Sequence, residues 1–368
     1  MKILAIETSC DETAAAVVAW QKGRPVVLSN IVSSQIAIHQ KYGGVVPEIA
    51  AREHVLNILP VIEEALLAAG ITRKQAPKKL AAIAVTAGPG LITSLMMGVE
   101  TARSLAVAWD LPLIDVNHIE GHMSACWLGE KLPELPAVVM TVSGGHNMLV
   151  LIKEPLKYKI LGDTRDDAAG EAFDKAAKIL GLGYPGGPAI AASAATINNY
   201  QLSIINERVA PSTSSGQVAK IVLPRPMINS GDFDFSFSGL KTALLYQIQK
   251  DSSINSGQAN WQGRRAEYAA EFQSAVADTL VSKTIKAAKK FGAKTVMLSG
   301  GVSANKVLRA ELERRVADKL PGTRVIIAPQ AYTTDNAAMI GAAALFRLRA
   351  GKTIIWSKLK ADPNLEIK

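Results

Sequence analysis

His118 and His122 lie four residues apart in the segment VNHIEGHMSA. If that segment is helical, as expected over Val116 to Leu128, both imidazoles project from one face about one turn apart and can grip one metal ion. The same spacing suits two ordinary core or surface histidines, so the pair alone leaves both roles open. A zinc-peptidase helix would place a glutamate directly after the first histidine, where it acts on a metal-bound water. Ile119 holds that position, and Glu120, two residues on, falls roughly 200° round a helix of 3.6 residues per turn. Glu120 is expected to point away from a bound ion, which argues against peptidase chemistry.

Three glycine-bearing turns follow apolar runs: Gly88-Pro89-Gly90, Ser143-Gly144-Gly145-His146 and Ser299-Gly300-Gly301. Such turns can aim backbone N–H groups at a phosphate or an acyl oxygen, and they are also ordinary punctuation between strand and helix. None matches the P-loop or the dinucleotide fingerprint. Together with the polar turn Thr8 to Glu12, they form the pattern of a nucleotide cleft of another kind. Asp166, Asp167, Glu171, Asp174 and Lys175 fall on a helix expected from Arg165 to Leu180, as a cleft wall or a solvated face. Asp335, in Thr333-Thr334-Asp335-Asn336, stands where a helix N-cap belongs, although a metal held by the histidine pair needs a third ligand.

The elements that must position these residues alternate along the chain. A strand from Lys2 to Glu7, a polar turn and a strand from Ala14 to Ala19 open it; Ala137 to Val142 and Asn147 to Ile152 repeat the plan, an internal duplication of pattern. Helices are expected over Val46 to Ala69, Ile92 to Ala108, Ala266 to Phe291, Asn305 to Lys319 and Asn336 to Arg349. Strands are expected over Leu80 to Thr86, Thr295 to Leu298 and Arg324 to Ala328. Tyr184 to Pro188 reads as a break, Pro211 to Gln217 as a Ser/Gly-rich loop insertion, and the last residues as a polar tail.

The chain has 368 residues, 48% of them hydrophobic and only 5% aromatic. That length favours two packed domains, and that composition favours the α/β class. A formal charge of +9 suits contact with a polyanion or a merely basic protein. The basic stretches Arg73 to Lys79, Lys283 to Lys294 and Arg309 to Lys319 read as solvated helix faces or phosphate contacts. Two cysteines are too few for a disulfide scaffold, which points to a reducing compartment, and no apolar run is long enough for a membrane span.

The segments IETSCDETAAAVV, YGGVVPEIAAREHV, TAGPGLITSLMMGVETARSLA, VNHIEGHMSA, VSGGHN, DDAAGEAFDKAAKILGLGYPGGPAI, FSFSGLKTAL, LSGGVSANKVLR and TTDNAAMIGAAA closely resemble the tRNA threonylcarbamoyladenosine transferases of the TsaD/Gcp family. The resemblance implies an actin/Hsp70/sugar-kinase (ASKHA) type fold: two duplicated RNase H-like domains, residues 1–125 and 126–350, with a cleft between them. The last helix is expected to return to the first domain, and 351–368 form the tail. It implies transfer of a threonylcarbamoyl group from L-threonylcarbamoyladenylate to the adenosine 3′ of the anticodon in ANN-decoding tRNAs, releasing AMP. It further implies His118, His122 and Asp335 as ligands of one divalent metal, Fe(II) first and Zn(II) second. Thr141, Val142, Ser143, Gly144 and Gly145 would cradle the substrate, with Asp174, Gly187 and Asn305 touching it.

Expected partners are tRNA, a TsaB-like paralogue and a TsaE-like ATPase, in the cytoplasm and without a membrane. No side-chain nucleophile is required, since a Lewis acid or backbone N–H groups can stabilise the oxyanion of direct acyl transfer. Family members often carry an acid a few residues after Gly-Gly-Pro, where this chain has Ala191 and Ala192. A kinase or ATPase of the same superfamily, a scaffold and a peptidase are the rival readings.

Overall fold

The computed structural model describes residues 1–197, 220–254 and 261–367; the loop expected at 211–217 lies outside the described residues. The apolar run after Met1 forms β1 (Lys2–Glu7), which pairs antiparallel with β2 (Glu12–Gln21), itself paired with β3 (Arg24–Ser34). The chain then forms α1 (Pro47–Ala68), β4 (Ala82–Gly88), α2 (Ile92–Trp109) and β5 (Leu113–Asn117). β4 runs parallel to β1 and to β5, giving the sheet order β3-β2-β1-β4-β5.

After a short helix, α3 (His118–Ser124), the plan repeats. β6 (Ala137–Val142), β7 (Asn147–Glu154) and β8 (Lys157–Asp163) form an antiparallel meander, and β9 (Thr295–Ser299) and β10 (Arg324–Ile327) add in parallel on the other side of β6. The second sheet, β8-β7-β6-β9-β10, has the order of the first. The remaining helices are α4 (Ala169–Leu180), α5 (Gly186–Ala194), α6 (Ser238–Ile254), α7 (Arg265–Phe291), α8 (Lys306–Lys319) and α9 (Ala337–Arg349). This is the duplicated α/β architecture of the actin/Hsp70/sugar-kinase type expected above. The structure adds β3 to the first expected hairpin and β8 to the second.

Alternation along the strands explains the layers. In β1, Ile3 and Ala5 face one cluster and Leu4 and Ile6 another, because successive side chains leave a strand on opposite faces. Leu4 and Ile6 pack with Ile62 and Leu66 of α1 and Val99 of α2. Ile3 and Ala5 belong to the central layer, where Met339, Ile340 and Ala343 of α9 lie between the first sheet and Val139, Val150 and Met297 of the second. A Cβ on Gly341 would stand 2.4 Å from Val18 Cγ2, so α9 lies close on the first sheet. The outer core of the second half packs Val138 and Met140 against Phe173, Tyr268, Phe272 and Leu280.

Residues 351–367 also return to the first sheet. Ile354 bridges to Leu113, Leu359 is buried, and Asp362 N–H donates to Ala87 O at 2.8 Å.

Candidate functional site

The histidine helix starts two residues later than expected. Val116 and Asn117 end β5, and Asn117 Oδ1 caps α3 by accepting from Ile119 N and Glu120 N at 2.9 and 3.3 Å. Cap and strand end together place His118 in the first turn, pointing back over the end of β1. Gly121, between the histidines, packs on α9: a Cβ there would lie 2.6 Å from Ile340 Cδ1. That close approach brings α3 beside the turn that precedes α9, and Asp335 stands in that turn.

His118, His122 and Asp335 therefore meet. One ligand atom from each lies within 4.8 Å of the others. His122 Nε2 is 3.2 Å and His118 Nε2 3.6 Å from Asp335 Oδ1, and the two rings stand 4.6 Å apart at 77°. Both nitrogens of the fully buried His122 lack a hydrogen-bond partner, and its 3.2 Å approach to Asp335 does not have hydrogen-bond geometry. A buried, unsatisfied nitrogen is costly in a folded protein. A cation shared by the two imidazoles and the carboxylate would satisfy one of the two, Nε2, so the three residues fit a metal ion.

A proton on His118 offsets part of the negative charge around the trio. Burial works against the His118 imidazolium, but the carboxylates of Asp335 and Glu7 outweigh it and hold His118 up to about 9. Burial also works against the Asp335 carboxylate, yet the His118 charge keeps it well below the usual range. Burial and the His118 charge both push His122 down. His146, in the turn after β6, is pushed down to about 4 by burial and by the two histidines. The Ser143–His146 turn thus feels the trio directly.

That turn is the expected cradle. Thr141 Oγ1 and Ser299 Oγ are 3.1 Å apart, and Gly300 passes so close that a Cβ would sit 2.3 Å from Val142 O. Ser143 N–H donates to His146 O at 2.8 Å. The carbonyls of Ser143 and Gly144 accept from Gly170 N and Glu171 N at 3.2 and 3.1 Å, so the turn leans on the start of α4. Gly145 has open space where a Cβ would be. Along α4, Asp174 Oδ1 accepts the Gly186 N–H at 2.6 Å, which sets Gly187 in the first turn of α5. Burial raises the Asp174 carboxyl. Asn305 caps α8 by accepting from Leu308 N at 3.0 Å, and its amide meets Gln273 Oε1 at 3.3 Å. Ala191 and Ala192 lie on α5, where the half-buried Ala191 and exposed Ala192 offer no charge.

Other expectations change. α4 begins at Ala169 rather than Arg165, so Asp166 and Asp167 precede it. Asp166 instead accepts from Phe237 N at 2.7 Å and Ser238 Oγ at 2.7 Å, tying the chain ahead of α6. Lys283 is no part of a solvated basic face: it is fully buried, with its ammonium 2.7 Å from Ser230 Oγ. Glu120 is buried and engaged by Arg347 at 2.6 Å and by the Tyr158 hydroxyl at 3.1 Å, which leaves it unable to serve as a peptidase base. Glu7 was not singled out from the sequence. Its signal was an acid closing an otherwise apolar strand, where a carboxylate must find a buried partner.

The family model described as "TsaD: tRNA N6-adenosine threonylcarbamoyltransferase" matches residues 26–342. A protein of Dehalococcoides mccartyi (strain ATCC BAA-2100 / JCM 16839 / KCTC 5957 / BAV1) named tRNA N6-adenosine threonylcarbamoyltransferase is 48% identical, over 96% of this chain and 95% of its own length. One of the same name from Anaeromyxobacter dehalogenans (strain 2CP-C) is 45% identical over 98% of both. Among solved structures, T. kodakarensis HypF superimposes with a TM-score of 0.59 at 15% identity, covering 97% of this chain and 49% of that one, a likeness of fold alone. A family match over most of the chain and relatives of near-equal length leave one assignment: the chain belongs to the tRNA N6-adenosine threonylcarbamoyltransferase family.

Proposed function

We propose that this chain transfers the threonylcarbamoyl group of L-threonylcarbamoyladenylate to N6 of the adenosine 3′ of the anticodon in ANN-decoding tRNAs. The observation that carries the reading is the His118–His122–Asp335 trio, its two histidines buried and its charges felt by His146 of the Ser143–His146 turn, in a chain of this family. The adenosine amine attacks the carbamoyl carbon, the bond from that carbon to the phosphate oxygen breaks, AMP leaves, and the amine gives up a proton.

In this reading His118, His122 and Asp335 are ligands of one divalent cation, Fe(II) by first preference and Zn(II) by second. When bound, that cation supplies Lewis acidity and a fixed charge toward the acyl donor. Thr141, Val142, Ser143, Gly144 and Gly145 line the donor's place, and Asp174, Gly187 and Asn305 bind its outer groups. Direct transfer fits the thiols. Burial and the neighbouring Asp11 charge raise Cys10 well above its ordinary value, and burial pushes Cys126 up to about 12. Neither is poised as a nucleophile at neutral pH.

A TsaB-like paralogue and a TsaE-like ATPase complete the proposed assembly. The exposed apolar residues Val55, Leu56 and Leu59 of α1 offer a face for a helical partner. The proposed setting is the cytoplasm; among the described residues no helix is long and apolar enough to cross a membrane. Reconstitution with L-threonylcarbamoyladenylate and tRNA, followed by nucleoside analysis, tests the reading. Wild type is expected to form threonylcarbamoyladenosine and Asp335→Ala to lose that activity; equal activity of the two refutes the site.

A further inference from the structure

Glu7 is a fully buried acid with no part in the scheme above. It closes β1, and its two oxygens have separate tasks. Oε1 accepts the Ser9 backbone N–H at 2.5 Å. Oε2 accepts the Thr86 hydroxyl and lies 3.3 Å from His118 Nδ1. The Ser9 hydroxyl stands 3.1 Å from the same ring nitrogen. The backbone donor on Oε1 cannot be reversed, so the carboxylate must present an acceptor there and a second acceptor toward Thr86 and His118.

We propose that Glu7 is a positioning residue of the metal centre: its carboxylate accepts the Nδ1–H of His118 and so leaves the Nε2 lone pair facing Asp335 and His122. The inference rests on the reading of His118, His122 and Asp335 as metal ligands. An acid behind a ligating histidine fixes ring orientation and tautomer, and its loss costs about 10–100-fold in metal affinity. Glu7→Gln is close to isosteric but reverses one atom's role. Its amide oxygen stays with the Ser9 N–H, which turns the NH2 group toward Thr86 and His118. The Thr86 hydroxyl can rotate to accept. An NH2 group facing His118 Nδ1 favours the tautomer with the ring proton on Nε2, where it blocks ligation, and leaves the Ser9 hydroxyl as the acceptor for a proton kept on Nδ1.

The test is Co(II) affinity of the full chain, followed by absorption in competition with a chelator at fixed pH. Glu7→Gln is expected to bind about 10–100-fold more weakly. Thr86→Val, which removes a donor from the same carboxylate but leaves its charge on His118, is expected to stay close to wild type. Wild-type affinity in Glu7→Gln, or an equal loss in both variants, overturns the proposal. Should Glu7→Gln fail to fold, Glu7→Asp keeps the charge and withdraws it by one methylene. Its affinity is expected to fall below wild type, and an unchanged value is equally fatal. Absence of Co(II) binding by wild type would instead remove the metal-site reading, and this proposal with it.

Discussion

Glu120 sits between the two histidines in sequence and on the other side of α3 in space. Arg347, in the last turn of α9, grips it through Nε at 3.2 and 3.0 Å and through Nη2 at 2.6 Å. Glu120 is 1% exposed and the Arg347 side chain 22%. Arg347→Met would keep the stem's packing and leave a buried carboxylate with the Tyr158 hydroxyl alone. Breaking a buried pair from one side costs about 3–5 kcal/mol. The lower end, about 3 kcal/mol, is expected because Arg347 is partly solvated and Tyr158 still donates. Adding Glu120→Gln removes the stranded charge and should restore about 2 kcal/mol, since coupled neighbours give interaction energies of that order. Urea unfolding of the metal-free single and double variants measures both. A double variant whose loss equals the sum of the singles would show that the pair does not tie α3 to α9, and the reasoning would fail.

Metal binding should depend on pH in a stated direction. Burial opposes the His118 charge, but Asp335 and Glu7 hold that proton up to about 9, so a cation must displace it. Apparent affinity for Zn(II) is expected to rise about tenfold per pH unit from neutral pH and to level off near that value; a flat profile would refute the displacement. For the metal-free fold the sign reverses. The raised value of His118 contributes stability fully below its ordinary 6.5, and that stability is lost as pH rises through about 9, which unfolding at the two extremes reads directly. Gly300 adopts φ 86° and ψ 166°, a region open essentially to glycine. Gly300→Ala should cost about 1–3 kcal/mol from backbone strain alone and reduce transfer by displacing Val142; unchanged stability in thermal unfolding would sink that account. A Cys10→Ser, Cys126→Ser double variant is expected to retain transfer activity, and its abolition, with a mass-labelled thiol in wild type, would replace direct attack by a covalent route.

Legibility in the sequence followed the partners each residue finds. β1, β6 and β9 announce themselves as apolar runs because both faces are covered. β3 does not, since Ser29 and Asn30 interrupt it. Their polar groups are satisfied only by distant ones, Ser29 Oγ donating to Ala65 O at 2.6 Å and Asn30 Oδ1 accepting from Ala338 N at 3.1 Å. β8 is an edge strand whose Lys157 and Lys159 are exposed, a composition suited to an unpaired edge rather than to a core. α5 opens with Gly186-Gly187-Pro188 and so reads as a break, although proline in a first turn costs no hydrogen bond. Within the site, the histidine spacing was readable locally. Asp335 was not, because nothing near it in sequence distinguishes a ligand from a cap; only the crossing of α3 and α9 at Gly121 makes it their neighbour.

The three glycine turns show why a pattern shared in sequence need not be shared in chemistry. β4 and β9 occupy equivalent places in the two sheets, and each ends in a glycine turn. After β4, the Gly88–Gly90 turn is already filled. A Cβ on Gly88 would collide with Asp362 O at 1.8 Å, Gly90 N–H donates to Pro363 O at 3.3 Å, and Ser9 O takes the Leu91 N–H at 2.8 Å. Its glycines serve close passage of the returning C-terminal segment, so this turn is not the ligand cradle that the sequence pattern had grouped with the others. The Leu365 carbonyl from the same segment accepts the Asn117 amide at 2.8 Å, and Asn117 caps the histidine helix. After β9 the Gly300 turn instead abuts Val142 and the open Gly144–Gly145 corner, where no Cβ would meet a neighbour. Duplication therefore supplies one frame twice, and the chain's own termini divide the work. In the first copy the end of β1 and the segment after residue 351 brace the His118–His122 helix, whereas the second copy leaves the Gly144–Gly145 corner open.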